Sequence, residues 1–487
     1  MRRGVRLVVG CVLSLAVACS AAIVSRGADA AHRAVAVLPV PPAAEPAAAR
    51  RWNVVFILSD DENVYGSAVM ENVRRLLAEH GVTFSDFHVT TPECGPSRAS
   101  ILTGLYSRHS GVTANFGAHG YPAFDQSSNL AVWLHRAGYS TALVGKFIND
   151  YPLDGGNRVP PGWDDWQAMD SVPLERYYDY TLNENGRLVH FGRAAGDYST
   201  TVLAGKAVDF LERVRKPFFL YFAPVTPHLP AVPAPADVRR FDKLAPFSSP
   251  SLDQRNIGAE PWAAWHRRAI GPGGLSYIDA VRRDQLESLS SLDRSVARIV
   301  AVLRQRRLLD RTVIVYTSDN GFLWGEHRLG GKLWPYEEST RVPLVVRVPW
   351  EAKGTTVDAP VLNIDFASTI MQLAKARAGG RQDGRSFVPL LEGDRVPWRN
   401  DYLLEYLGGN ALRVGGPPPY VAVHTRRYVY VAYRYRRWRE LYDLKRDPWE
   451  LDNLANDPAY ARIESRLARK LARLEATPAH VAGAPES

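Results

Sequence analysis

The segment WNVVFILSDD, Trp52 to Asp61, decides the fold class. Trp52 to Leu58 is an apolar run rich in β-branched residues, the pattern of a strand buried on both faces. It stops abruptly at Ser59-Asp60-Asp61. The same design returns at TVIVYTSDN, Thr312 to Asn320, where a second apolar strand stops at Ser318-Asp319-Asn320. Between and around these two, helical spacing alternates with further apolar runs. Met70, Val73, Leu76 and Leu77 recur at helical intervals. Ser127 to Ala137, Val202 to Val214 and Tyr277 to Leu309 read as helices. Thr141 to Val144, Pro217 to Ala223 and Val342 to Val348 read as strands. Strands alternating with helices predict an α/β sheet covered on both faces. Polar residues crowd the strand ends at Asp60, Lys146, Pro227-His228 and Asp319. Ligands of open α/β sheets sit at the carboxyl ends of strands, so these segments point to one crevice.

The chain has 487 residues, enough for one large domain and a smaller one. Hydrophobic residues at 46% and charged residues at 23% exclude global disorder. Its 37 glycines and 34 prolines imply many turns and argue against a coiled coil or helical bundle. Lys and Arg total 60 against 51 Asp and Glu, a net charge of +9 that suits an acidic partner without naming one. No nucleic-acid module accompanies that charge. After about residue 378, Gly379, Gly380, Gly384 and Gly393 break the chain. HTRRYVYVAYRYRR then alternates aromatic and β-branched residues with Arg, which predicts an antiparallel sheet with one wet, Arg-bearing face. Ala459 to Leu474 reads as a closing helix.

The N-terminus carries Arg2, Arg3 and Arg6, an apolar stretch from Val5 to Val17, and small residues from Ala18 to Ala22. This is the pattern of a secretory signal peptide, too short and too quickly diluted to span a membrane. Ala16-Val17-Ala18-Cys19 is also similar to a lipobox, so a lipid anchor at Cys19 stands beside simple cleavage. Residues 30–50, rich in Ala and Pro, read as a tether. The expected organisation is a signal over 1–29, the tether over 30–50, a main domain over 51–378 and a C-terminal subdomain over 379–480. The protein is expected to be exported, either secreted or held in the periplasm or at the cell surface. No transmembrane segment is expected in the mature chain.

Asp60, Asp61, Asp319 and Asn320 are hard oxygen donors at two strand ends, suited to Ca²⁺ or Mg²⁺ rather than to a structural zinc site. The segment TPECGPSRASILTG, Thr91 to Gly104, places a helix start at Pro96-Ser97, with Cys94 just before it and Arg98 four residues on. With Cys11 and Cys19 in or beside the signal, Cys94 stands alone in the exported chain and has no disulfide partner. On the residues alone two readings stay open: a core thiol beside a surface arginine, or a nucleophilic thiolate with an anion-binding arginine.

Cys94-Gly95-Pro96-Ser97-Arg98, followed by Leu102-Thr103-Gly104, resembles the signature of the sulfatase family. Asp60-Asp61, Lys146 in GKFIN, His228 in TPHLP, Asp319-Asn320-Gly321 and Lys332 in GEHRLGGKLWPYEESTRVPL resemble its other motifs, in order. The C-terminal run ELYDL, Asp447-Pro448 and Asn453-Leu454-Ala455 agrees. The resemblance covers roughly residues 50 to 460. It implies an alkaline-phosphatase-like α/β/α sandwich with a smaller C-terminal antiparallel-sheet domain. It also implies calcium-dependent hydrolysis of sulfate monoesters by a formylglycine (3-oxoalanine) made from Cys94 by a formylglycine-generating enzyme. Carried over by position, Asp60, Asp61, Asp319 and Asn320 ligate Ca²⁺ together with an oxygen of the modified Cys94. Arg98 steadies the hydrated aldehyde, and Lys146, His228 and Lys332 hold the sulfate and its bridging oxygen. His228 is placed to protonate the leaving alcohol. One hydroxyl of the hydrate attacks sulfur, and the second allows sulfate to leave and the aldehyde to return.

The sequence departs from the common Lys-x-His pattern, because Lys146 is followed by Phe147, Ile148 and Asn149. GKFIN…VPPGW instead looks like the N-acetylglucosamine-6-sulfatase and extracellular heparan sulfatase branch, which implies a sulfated amino sugar or glycan as substrate. Asn149 is a candidate for orienting substrate, and His327, close in sequence to Asp319, is a candidate for substrate contact or for supporting the metal ligands. With no histidine at 148, His228 is expected to serve as acid and then as base. Two alternatives remain: a phosphate or phosphonate monoester hydrolase of the same superfamily, and a non-catalytic protein that binds sulfated glycans.

Overall fold

The computed structural model describes residues 51–481 apart from 154–155, 171–175, 259, 261–267, 351–353, 409–415, 435–436 and 479. The expected signal over 1–29, with Cys19, and the expected tether over 30–50 lie outside the described residues. Residues from Arg51 onward gather into one compact unit.

Ten strands form the main sheet. In chain order they are β1 (Asn53–Ser59), β2 (Gly81–Phe84), β3 (Ser140–Gly145), β4 (Asp165–Met169), β5 (Tyr180–Glu184), β6 (Arg187–Phe191), β7 (Phe218–Ala223), β8 (Thr312–Ser318), β9 (Leu344–Arg347) and β10 (Thr355–Val357). Their spatial order is β10-β2-β9-β8-β1-β7-β3-β4-β5-β6. The central five, β8, β1, β7, β3 and β4, run parallel. β9 and β5 pair antiparallel beside them.

The apolar runs serve two cores by simple alternation, because successive side chains of a strand point to opposite faces. Val54, Phe56 and Leu58 of β1 join Phe219, Tyr221, Val313 and Val315 on one face. Helices α1 (Cys94–Thr103) and α2 (Leu130–Arg136) cover that face. Val55 and Ile57 join Leu220, Phe222, Ile314 and Tyr316 on the other. There they pack under α3 (Ser199–Arg213) and α4 (Pro272–Gln305). The result is the expected α/β/α sandwich.

The C-terminal residues form β11 (Asp401–Tyr406), β12 (Tyr420–Thr425), β13 (Tyr428–Tyr433) and β14 (Arg439–Asp443), an antiparallel meander. The expectation of one wet face fails here. Tyr402, Leu404, Tyr420, Ala422, Val429 and Val431 fill one core, while Leu403, Val421, Val423, Tyr428 and Tyr430 fill another with Leu467 and Leu471 of α5 (Ala461–Ala476). Aromatic and β-branched residues alternate, but both kinds are apolar, so both faces are buried. The arginines lie at turns and rims. Arg427, in the β12–β13 turn, forms an ion pair with Asp443 at 2.8 Å, and Arg434, just past β13, one with Glu475 at 3.1 Å. A polar contact ties this sheet to the rest of the unit: His424 Nε2 of β12 lies 2.9 Å from Glu337 Oε1.

Leu220, fully buried at the middle of β7, tests the double-faced packing. Leu220→Ala is expected to lower the unfolding free energy by about 2–5 kcal/mol, the range for a core cavity. The shift of the urea midpoint at unchanged slope reads it.

Candidate active site

Parallel pairing places the polar strand ends side by side. Ser59 of β1 pairs with Ser318 of β8, so Asp60 and Asp319 emerge together. Gly145 of β3 pairs with Ala223 of β7, which places Lys146 next to the segment leading to His228. Two glycines permit this crowding. A Cβ on Gly145, whose φ is +118°, would stand 2.2 Å from Ala223 O, and one on Gly321 would stand 2.1 Å from Glu338 O. Asp61 itself takes a left-handed conformation with φ of 68°, which turns its carboxylate toward Asn320 and Lys332.

Helix α1 supplies the next groups. It begins at Cys94, with Glu93 at its N-cap, two residues earlier than the expected start at Pro96-Ser97. Asn115 Oδ1 accepts from Gly95 N at 2.7 Å, and Asn115 N donates to Glu93 Oε1 at 3.1 Å. These bonds fix the first turn. Cys94 Sγ then lies 3.5 Å from Asp60 Oδ1, and Lys332 Nζ donates to it at 2.7 Å. One turn on, Arg98 is wholly buried. Its Nε donates to Asp319 Oδ2 at 2.7 Å, its Nη1 donates to Lys146 O at 2.9 Å, and its Nη2 stands 3.3 Å from Asp60 Oδ2. Lys146 Nζ donates to Asp60 Oδ2 at 2.7 Å. Lys332 Nζ also donates to Asp61 Oδ1.

These contacts set the charges. Burial works to raise the Asp60 carboxyl, but Lys146 and Arg98 overcome it and hold Asp60 far below the usual carboxylate range. Burial and the neighbouring Asp60 charge push Asp319 up, against Arg98. Burial pushes the Cys94 thiol well above its ordinary value, despite Lys146 and Lys332. An unmodified Cys94 is therefore a protonated thiol and a poor nucleophile. Burial opposes a charge on Lys332, but Asp61 and its neighbours more than offset this and hold it protonated.

His228 enters from the open side, with its side chain 19% exposed. Its Nδ1 donates to Leu229 O at 2.7 Å. A carbonyl only accepts, so Nδ1 carries a proton and Nε2 faces the cluster, 3.5 Å from Asp61 Oδ2. Asp60, Asp61, Cys94 and His228 offer ligand atoms all within 4.8 Å of one another. Asn320 donates through Nδ2 to Asp61 Oδ1 at 2.7 Å, while its buried Oδ1 has no partner. Such an orphaned acceptor beside three carboxylates is what a cation-binding site shows when only its protein groups are counted. The donor set thus fits a hard divalent cation.

The structure brings together Asp60, Asp61, Cys94, Arg98, Lys146, His228, Asp319, Asn320 and Lys332. Asn149 is buried with its Oδ1 unpartnered. His327 is elsewhere, fully buried in a second cluster with Glu338 and Glu450. Its ring contacts Gln254, Glu338 and Tyr336 rather than any of the Asp60–Asn320 groups. Glu62 was not singled out from the sequence. It accepts from Ser59 Oγ at 2.6 Å and from Tyr316 Oη, bracing the Asp60-Asp61 turn, and burial raises it to about 7. Its only signal is adjacency to the acidic pair.

Arg98 is the natural test of this arrangement. Arg98→Met leaves Asp60 and Asp319 without their shared guanidinium and is expected to cost about 3–5 kcal/mol at neutral pH. In the parent, the depressed Asp60 contributes stability above its unfolded value of 3.8, lost as pH falls through and below it. In the variant Lys146 still lowers Asp60, but Arg98's share of that contribution is absent and protonation relieves the repulsion between Asp60 and Asp319. The gap between the two unfolding curves is expected to narrow below about pH 4.

Comparisons with known proteins agree with this geometry. The family model described as Sulfatase matches residues 52–376, and one described as N-sulphoglucosamine sulphohydrolase, C-terminal, matches residues 325–477. The human N-acetylglucosamine-6-sulfatase is 34% identical over 382 residues, covering 74% of this chain and 68% of its own length. A homologue of extracellular sulfatase SULF-1 from Drosophila melanogaster is 32% identical over 375 residues. That match covers 74% of this chain but only 33% of the fly protein, so the chain spans about a third of its length. A solved structure described in complex with its substrate D-glucosamine-2-N,6-O-disulfate superposes with a TM-score of 0.77 at 25% identity, covering 88% of this chain and 98% of its own.

Proposed function

Since the chain belongs to the sulfatase family, we propose that it hydrolyses sulfate monoesters of amino sugars or glycans at the Cys94 cluster, with N-acetylglucosamine-6-sulfate as first substrate. The observation that carries this reading is the meeting of Cys94, Lys332, Arg98 and the Asp60–Asp319 pair at adjacent parallel strand ends.

Asp60, Asp61, Asp319 and Asn320 would hold Ca²⁺, with one oxygen from position 94. When bound, the cation supplies positive charge that offsets and polarises the sulfate oxygens. Oxidised to formylglycine by a generating enzyme, position 94 would supply an aldehyde hydrate as the nucleophile. The chain's own groups do the rest. Lys146 and Lys332 flank position 94 and attract the sulfate. Arg98, fixed on Asp319 and on Lys146 O, keeps the helix start and the acidic pair in register. His228 Nε2, the ring nitrogen that faces the cluster, would donate a proton to the leaving alcohol and then act as a base for the next step. Asn149 would orient substrate through its unpartnered Oδ1, whereas His327 belongs to a separate buried cluster.

The charges favour this substrate. Asp60, Asp61 and Asp319 are matched by Arg98, Lys146 and Lys332. A divalent cation then balances one anionic nucleophile and one singly charged sulfate ester. The N-terminal signal further suggests an exported enzyme, free or anchored through Cys19. Among the described residues no helix is long and apolar enough to cross a membrane.

Two measurements test the proposal. Peptide mass spectrometry of active protein is expected to show an aldehyde-bearing residue at position 94, and full activity with only cysteine there would overturn the nucleophile. His228→Ala is expected to lower kcat/KM on the 6-sulfated sugar by about 10²–10⁴, with a much smaller loss of the first-turnover burst on an activated aryl sulfate. Equal losses on both esters would remove His228 from leaving-group protonation.

A further inference from the structure

A second cluster joins His327, which follows Glu326, to Glu338, in a short helix at Glu337–Thr340, and to Glu450. All four side chains belong to buried residues. Ligand atoms of His327, Glu338 and Glu450 lie within 4.8 Å of one another. Among the described residues no Lys or Arg forms an ion pair with Glu326, Glu338 or Glu450.

The protonation of His327 follows from its neighbours. Gln254 Nε2 donates to Asn256 O at 3.0 Å and to Leu451 O at 2.7 Å. Its amide orientation is therefore fixed, and Gln254 Oε1 faces His327 Nδ1 at 2.9 Å. An amide oxygen only accepts, so Nδ1 holds a proton. The ring is further held by stacking on Tyr336, with centroids 3.9 Å apart. Nε2 is then left with its lone pair directed at Glu338 Oε2, 3.7 Å away. That is too far for a hydrogen bond. Both atoms are buried and neither has a partner. Glu326 Oε1 is likewise buried and unpartnered. Three further oxygens have donors: Ser251 Oγ donates to Glu338 Oε1 at 3.0 Å, Glu337 N donates to Glu450 Oε2 at 3.0 Å, and Trp324 N donates to Glu326 Oε2.

A bare imidazole nitrogen facing bare carboxylate oxygens in a dry interior is costly unless something positive lies between them. Two ligand atoms bound to one zinc ion stand about 3.4 Å apart at the tetrahedral angle, close to the observed gap. An orienting acceptor on the far ring nitrogen, here Gln254 Oε1, is the usual partner of a metal-bound histidine. The set combines imidazole with carboxylates, which suits Zn²⁺, whereas the Asp60–Asn320 set consists of oxygen donors around position 94. We propose that His327, Glu338 and Glu450 form a second, buried metal site that takes Zn²⁺ and fastens the turn preceding Lys332 to the C-terminal segment. Glu326 braces it from the adjoining position. The ion would enter as the chain folds, since the groups are closed off from solvent afterwards.

The test uses the full chain carrying Cys94→Ala and His228→Ala, which strips thiol and imidazole from the active-site cluster without touching the second one. It is produced in zinc-supplemented medium, desalted and assayed for metal by mass spectrometry, and its crystals are measured at the zinc absorption edge. The expected result is about one Zn²⁺ per chain and an anomalous peak between His327 Nε2, Glu338 and Glu450. His327→Gln in the same background is expected to lose that equivalent and to unfold at lower temperature. Absence of a peak at this position overturns the proposal, as does zinc retained undiminished by the His327→Gln chain. The diffraction result stands even if His327→Gln fails to fold. Neither outcome depends on sulfate hydrolysis, so failure here leaves the proposed activity untouched.

Discussion

Arg98 is the contact on which the active-site end of the sheet depends. Its guanidinium spans two strands by binding Asp319 after β8 and approaching Asp60 after β1, and it reaches a third through Lys146 O after β3. Wholly buried carboxylates repel one another strongly in an interior of low dielectric constant. A planar, permanently charged fork can satisfy several of them at once, which the point charge of a lysine cannot. The helix that carries Arg98 also begins at Cys94. The residue that neutralises the strand ends thus fixes the position of the candidate nucleophile.

This coupling explains why the backbone is so close-packed at that end. Parallel strands in register deliver Asp60, Lys146 and Asp319 to one edge, but only if the chain can turn immediately after each strand. Gly145 and Gly321 meet that need where a side chain would collide with a neighbouring carbonyl. Asp61 meets it by adopting a left-handed conformation, and its carboxylate is then held by Asn320 and Lys332. Backbone strain of this kind persists where surrounding contacts over-determine it. Here the hydrogen bonds from Asn320 and Lys332 to Asp61 supply that restraint.

Much of this was legible in the chain itself. The runs at 52–58, 217–223 and 312–317 are apolar on both faces, and such runs announce central parallel strands. Helix periodicity at 202–214 and 277–309 placed the cover on one face. The motif around Cys94 and the acidic strand ends brought the site together in one dimension before it was seen in three. What escaped has physical causes. Strands such as Gly81–Phe84 and Asp165–Met169 are short and mixed in composition, and they exist because a neighbour offers a free edge. The C-terminal sheet departs from the expected wet face because Arg427 and Arg434 lie at a turn and a strand end, while the tyrosines and β-branched residues within the strands face two cores. His327 is near Asp319 in sequence, but its ring partners Gln254, Glu338 and Tyr336 come from other segments, which spacing along the chain does not reveal.

The two acidic clusters show how differently one chain can handle buried negative charge. Around Cys94, three carboxylates are met by Arg98, Lys146 and Lys332, all reaching in from separate segments. Around His327 no such cations arrive among the described residues, and burial together with neighbouring carboxylates pushes Glu326 and Glu450 well above the ordinary range. The first arrangement leaves charged groups poised at an opening, where a substrate anion and its counter-ion can exchange. The second has no opening, so whatever balances it must be permanent. It lies immediately before Lys332 in sequence and beside the segment that follows β14. A fixed balance there would hold rigid the turn that delivers Lys332 to Cys94, while the exchangeable one a few residues away does the binding. Separating the two lets the site stay open to solvent without loosening the frame behind it.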